Sequence, residues 1–281
     1  MTSEVMECTP WPCYVAVMLA PQSPGPLIRE LRHARRLSQE ELAHRAEVST
    51  RHLSCLESGR ARPSHAMVLA LGSALDLPLR ERNSLLVAAG FAPIYRCSPL
   101  DDPALAHVHQ AINHILKLHE PQPALVLDRH WNVLQLNQGA TRLFTWLGIA
   151  LTPGRLLNGY RAVFDPALGL RQWIHNFDSV ADAVLARLRT EADVDPALRE
   201  LLKELEQLRG KSRPRAVEHT ANPVALPIHI RRDGIDLRYF TTLTTLGTPL
   251  DVTAQELRIE GYFPMDTATE EFAHTLLRRN S

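Results

Sequence analysis

The chain has 281 residues, 45% hydrophobic and 22% charged, and its 31 basic residues balance its 31 acidic ones. Such a composition is that of an ordinary globular protein and excludes a polyelectrolyte, although a chain-wide average conceals local basic patches. The length points to about two domains. Cys8, Cys13, Cys55 and Cys97 form no CxxC pair and have no zinc-site spacing, so they read as free thiols. The longest apolar run, residues 14–20, is too short to span a bilayer, and the first arginine is Arg29, so no membrane span or secretory signal is expected and the default location is cytoplasmic.

Residues 1–25 are rich in proline and uncharged for their length, and read as a disordered extension with Met18 as an alternative start. Helical patterning begins at Pro26. A first helix is expected over 26–36, with Leu27, Leu31 and Ala34 on one face. Ser38 with Glu41 has capping-box spacing and opens a second helix at 39–46. Ser49 caps a third over 50–57, which turns Leu53 and Leu56 inward and ends at Gly59. A fourth starts at Ser64 and a fifth runs over 79–90, so that 26–92 forms one all-helical domain.

The Pro- and Asp-rich stretch 93–102 reads as a linker. A helix over 103–119, apolar strands within 123–128 and 131–137, and a helix from Gln138 follow. Residues 158–210 are mostly helical and lead into a polar loop, 211–223. The period then changes. Residues 224–230 alternate and contain Pro227, which favours an edge strand. Asp233-Gly234 signals a hairpin, and 235–245 and 256–263 complete an antiparallel set. The alternation places Leu257 and Ile259 on one face of the last strand and Arg258 and Glu260 on the other.

Two short helices joined by three or four residues form a helix-turn-helix, whose second helix can enter the major groove. Gln39 opening the second helix, Ala43, Leu53 and the ending LESGRARPS together resemble the XRE family of phage-repressor-like regulators over 26–90. The resemblance implies a five-helix, lambda-repressor-like domain that binds double-stranded DNA. Over 26–62 eight arginines face five glutamates, leaving about +3. With Leu53 and Leu56 inward, the residues expected at DNA are Ser49, Thr50, Arg51, His52, Ser54 and Cys55, with Gln39 donating to phosphate and Arg60 and Arg62 gripping the backbone. Arginine can read guanine in the bidentate manner. One departure stands out: Glu47 occupies the tight turn where the family usually has glycine.

Residues 123–144 and 241–269 resemble the MmyB-like ligand-binding domain found behind such helix-turn-helix domains, a likeness covering 103–271 and leaving 272–281 as a tail. It implies an α+β, PAS-like fold with an antiparallel sheet and a small lipophilic, fatty-acid-like effector. No other cofactor is expected. Candidate lining residues are Leu125, Leu127, Leu134, Leu136, Leu237, Tyr239 and Leu243, with Asn137, Arg142 and His130 as polar anchors; core packing is the competing reading for each apolar position. His107, His109, His114 and His119 lack metal-site spacing, and no catalytic motif is present, so neither a metal nor an enzyme is expected. The whole reads as a DNA-binding regulator acting as a homodimer on a near-palindrome, with the leucines of 195–209 either at the dimer surface or packed on their own sheet. A ligand-free protein-interaction module is the alternative for the second domain.

Overall fold

A computed structural model describes residues 23–149, 157–193, 195–210 and 225–279. Met18 and the polar loop 211–223 thus lie outside the described residues. The chain divides into two compact units, one ending at Leu105 and including Gly247–Gln255, the other made of Ala106–Leu246 and the residues from Glu256 on.

The first unit holds α1 (Pro24–Ala34), α2 (Gln39–Arg45), α3 (Thr50–Glu57), α4 (His65–Ala74) and α5 (Leu79–Ala88). Side-chain caps set three of the starts. Ser38 and Glu41 complete the capping box, Ser49 Oγ accepts the His52 N–H, and Ser64 Oγ accepts the Met67 N–H. The turn between α2 and α3 holds Glu47 at φ 56°, so the left-handed conformation is kept although glycine is absent and the turn is not remodelled away from it. Ile28, Leu42, Leu53, Leu71, Leu85 and Leu86 are fully buried, each contributing about 1.5–3 kcal/mol of apolar burial. α1 begins earlier than expected, inside the stretch assigned to a disordered extension. Gly25 is buried there, and a Cβ on it would lie 2.4 Å from the Leu56 carbonyl, so glycine lets the start of α1 approach the end of α3.

The stretch 93–102 is not a free linker. The Asn83 amide accepts the N–H groups of Ile94 and Tyr95 and donates to the Tyr95 carbonyl at 2.7 Å. The segment Gly247–Gln255, which carries the start of the short helix α11 (Val252–Glu256), packs in this same unit. Val252 N–H donates to Arg96 O at 2.8 Å and Thr253 Oγ1 to Ser98 O at 2.6 Å. Gln255 Oε1 accepts the Leu79 N–H at 2.7 Å, supplying the acceptor that Pro78, the cap residue of α5, cannot offer.

The second unit comprises α6 (Ala106–Leu118), β1 (Ala124–Leu127), β2 (Val133–Leu136), α7 (Gln138–Trp146), α8 (Gly159–Phe164), α9 (Phe177–Ala192), α10 (Pro196–Arg209), β3 (Ile228–Arg232), β4 (Ile235–Thr244), β5 (Arg258–Pro264) and α12 (Thr267–Arg279). The five strands form one antiparallel sheet in the order β2-β1-β5-β4-β3. Asp233 and Gly234 both have positive φ, as a two-residue type I′ hairpin requires, and β3 after Pro227 is an edge strand. Residues 272–279, expected to be a tail, instead continue α12, with Ala273 and Leu276 buried.

Both faces of the sheet are covered. Leu125, Leu127, Leu237 and Tyr239 on the inner face join one apolar cluster with Leu143 of α7, Tyr160 of α8, Leu185 of α9 and Leu201 of α10. The α10 leucines 198, 201 and 205 are buried in this cluster, so the stripe weighed as a dimer surface packs within its own unit. On the outer face Asn113 of α6 bonds Gln135, and the His119 ring lies 2.9 Å from the Tyr262 carbonyl. Gly261 makes room for that ring, since a Cβ would sit 3.1 Å from it.

Candidate functional site

On α3, burial of Leu53 and Leu56 leaves Thr50, Arg51 and His52 exposed, with Ser54 and Cys55 half-buried beside them. Arg51 makes no ion pair with any described residue. Arg60 and Arg62 are exposed in the following loop, where Arg60 Nε donates to Ser58 Oγ at 2.9 Å. The single acid of α3, Glu57, is buried and turned inward. Arg32 grips it with Nε at 2.7 Å and Nη2 at 3.0 Å, and Gln39 Nε2 adds a third bond at 2.7 Å. Burial alone would raise the Glu57 carboxyl, but Arg32 and Gln39 hold it below its ordinary value, so it stays ionised and paired. The outward surface of α3 is thereby cationic and carries no carboxylate.

The Gln39 amide donates into this internal network. Ser49 caps α3, as its position in the sequence led us to expect. Neither network residue, Arg32 or Glu57, was foreseen. The signal lay in the helical period, because each is a charged residue on an apolar stripe, beside Ile28 and Leu31 or Leu53 and Leu56.

In the second unit, Leu125, Leu127, Leu237 and Tyr239 are buried core, while Leu136 and Leu243 pack partly buried against it. Leu134 is half-buried and does not join that cluster. Asn137 is committed to structure: its Oδ1 accepts the Ala140 and Ala124 N–H groups, and its Nδ2 donates to Gln122 O at 2.8 Å. Arg142 bonds Gln138 and pairs with Glu120, and it meets Tyr239 only along a tight crevice with Leu143 and Leu276. His130 lies 3.1 Å from Asp195, whose carboxyl burial would raise but His130 and Arg129 hold down to about 2. Asn137, Arg142 and His130 therefore serve structural partners, and the polar groups on the inner face are others.

Those groups centre on Glu260. It lies opposite Leu125 and Leu243 in the sheet and so shares the inner face with them. Thr241 of β4 and Tyr262 of β5, themselves cross-strand partners, lie on the same face. Tyr160 is 7% exposed and its hydroxyl makes no hydrogen bond of good geometry, although the Arg187 guanidinium is near. Trp131 forms the adjoining wall. It is held at φ 66°, stacks on Tyr160 at 4.2 Å, and lies under Arg258 at 4.4 Å while its N–H donates to Glu191 at 2.9 Å. A bulky residue at positive φ costs about 1–3 kcal/mol, and such strain concentrates where a site is built.

Glu260 is half-buried as a residue, but desolvation of its carboxyl by the surrounding side chains pushes it up from 4.5 to about 7; Thr241 and the Arg187 charge only partly offset it. The folded protein thus holds a proton that the unfolded chain releases. This group's contribution to stability is complete below about pH 4.5 and is lost as pH rises through about 7. Arg187 and Glu191 on α9 and Arg258 on β5 are the other charges around it. Urea unfolding from pH 5 to pH 8 should show Glu260→Gln gaining stability relative to wild type as pH rises. A constant difference between the two proteins would contradict the assigned burial.

Residues 108–276 match the family model of the MmyB-like transcription regulator ligand binding domain, and residues 25–85 match that of a helix-turn-helix domain. Among solved structures, the restriction-modification controller protein C.AhdI from Aeromonas hydrophila is 37% identical over 21% of this chain and 89% of its own, with a TM-score of 0.20. An RNA-binding light-oxygen-voltage receptor is 14% identical over 93% of this chain and 65% of its own, with a TM-score of 0.23. Both TM-scores are too low for any argument from shape. The comparison with curated proteins gave no match.

Proposed function

The chain belongs to the family of regulators that carry the MmyB-like ligand-binding domain behind a helix-turn-helix, and from this we propose that it is a sequence-specific transcriptional regulator switched by a small lipophilic effector. The observation that carries the reading is the surface of α3, where Thr50, Arg51 and His52 stand exposed beside Arg60 and Arg62 while the helix's one acid is neutralised inside. α3 enters the major groove, Arg51 reads a base edge, and Arg60 and Arg62 hold phosphates. One helix-turn-helix covers a half-site, so two copies bind a near-palindrome. The second unit, a five-stranded antiparallel sheet with helices on both faces, is read as the PAS-like sensor. It holds the apolar, fatty-acid-like body of the effector against the inner face.

An effector matters only if it favours one state of the DNA-binding unit over another. The covalent path for that is short. Gly247–Gln255 joins β4 to β5 and is itself folded into the DNA-binding unit, bonding Arg96, Ser98 and the start of α5. Gln255→Ala removes the acceptor for the Leu79 N–H. Operator affinity without effector should stay within about twofold, while the effector-induced change in affinity shrinks severalfold. An undiminished change in fluorescence-anisotropy titrations would rule this segment out as the coupling element.

The exposed Leu118, Met265, Phe263 and Ile115 favour a second reading, a ligand-free interaction module. Native mass spectrometry separates the two, since co-purifying lipophilic molecules support sensing and a consistently empty chain supports interaction.

A further inference from the structure

α6 covers part of the outer face of the sheet with one apolar stripe and leaves a second stripe bare. Ile112 and Leu116 are buried toward β1, and Asn113 Oδ1 accepts Gln135 Nε2 of β2 at 2.8 Å. At about 100° per residue, Val108, Ala111, Ile115 and Leu118 lie on the opposite flank, turned toward β5 and β4. Val108 is half-buried and the other three are exposed, Leu118 at 71%. Phe263 continues the patch, since His119 meets its ring edge-on at 4.8 Å and Phe240 stacks on it at 5.4 Å. Neighbouring helices pack about 8–10 Å apart and strands about 4.8 Å, so a helix laid beside α6 would lie over β4. Thr242 and Thr244, which point outward there, are exposed. The outer layer has room for one more helix.

We propose that this helix is α6 of a second copy, packed antiparallel. The assignment rests on the reading that two copies bind the near-palindrome, and it holds whether or not the inner face takes an effector. The steps of 3, 4 and 3 between the four stripe residues are those of a coiled-coil seam. A two-fold axis level with Asn113 sets Val108 against the partner's Leu118 and Ala111 against the partner's Ile115. Ala111, the smallest side chain of the seam, thereby leaves space for the branched one opposite. The seam carries no charge that would select an oppositely charged foreign helix. Lys117, the one Lys, Arg, Asp or Glu of α6, points away from it. Its two copies stay about 12 Å apart along the axis, beyond a Debye length of about 8 Å. Opposed helix macrodipoles favour the same orientation. A strip about 15 Å long and one helix wide is well under the roughly 800 Å² per partner of a standard interface. The free dimer is therefore weak, and DNA completes it by holding two copies close together.

Sedimentation velocity of the full chain between about 1 and 200 µM tests the assignment. Wild type should show a reversible monomer–dimer equilibrium with a Kd of about 1–100 µM. Ala111→Glu and Ile115→Lys lie at exposed positions, so folding is spared. Each should raise the Kd at least about tenfold, because an unpaired charge enters the seam. Mixed in equal amounts, the two variants should form a heterodimer at least about tenfold tighter than either homodimer, since the introduced carboxylate then meets the introduced ammonium. Val87→Lys, at an exposed apolar position of α5, should change nothing. Failure of the mixture to pair would overturn the antiparallel register. A wild type that stays monomeric, or unchanged self-association in both variants, would overturn the surface itself. The two-copy reading is judged separately, by the stoichiometry of wild type on a duplex selected from a random pool. Two copies there, with the surface overturned, leave that reading intact, whereas one copy per duplex removes both.

Discussion

Arg51→Ala should strip the protein of sequence preference while leaving it a DNA-binding protein. Arg51 projects exposed from the first turn of α3, with Ser49 capping that turn and Leu53 and Leu56 fixing the helix from behind. A bidentate arginine–guanine pair discriminates by about 1–3 kcal/mol, so specific affinity should fall roughly 5- to 150-fold while affinity for scrambled duplex falls far less. Arg60→Ala makes the internal control. As a phosphate contact it should weaken both duplexes alike and reduce the slope of log K against log salt by about 1. Competition titrations at several salt concentrations read both effects, and an equal loss of specific and non-specific affinity in Arg51→Ala would remove it from the base-reading role.

Glu57→Ala should be the most destabilising single change in the DNA-binding unit. The Arg32 and Glu57 side chains are 7% and 3% exposed, and Gln39 completes the network. Removing the acid strands a buried guanidinium, for which the general cost is about 3–5 kcal/mol. Replacing both partners with apolar residues, as in Arg32→Met with Glu57→Leu, should restore much of that loss, because the ion pair itself repays little beyond its own desolvation. Specific DNA affinity should not recover in parallel. The network ties the end of α3 to α1 and α2 and thereby fixes where Arg51 points. A loss below about 1 kcal/mol in denaturant melts of Glu57→Ala would mean that the pair is effectively solvated.

What could be read from the sequence was local. Ser38 with Glu41, Ser49, Ser64 and the leucines at helical spacing marked the five helices, because caps and periodicity act within a few residues. Glu47 at the tight turn and Asp233-Gly234 in the hairpin were legible for the same reason. What escaped was set by distant partners. Alternation put Arg258 and Glu260 on the face opposite Leu257 and Ile259, and in an antiparallel sheet the polar face is commonly the solvated one. The sheet is instead covered by α6 on one side and by α7 to α10 on the other, so the polar positions of β5 point into protein. Asn137 looked like a pocket anchor, yet it caps α7 and pins β1, roles that need Ala124 and Gln122 from earlier in the chain. The packing of Gly247–Gln255 with Arg96, Ser98 and Leu79 joins residues more than 150 positions apart and leaves no periodic trace.

The most direct measurement concerns α3 itself. Duplexes selected from a random pool by the purified chain should be titrated against a scrambled competitor at about 150 mM salt. A preference of at least about a thousandfold, concentrated in two symmetric half-sites, is the expected result. Equal affinity for the selected and scrambled duplexes would contradict α3 as a reader of sequence.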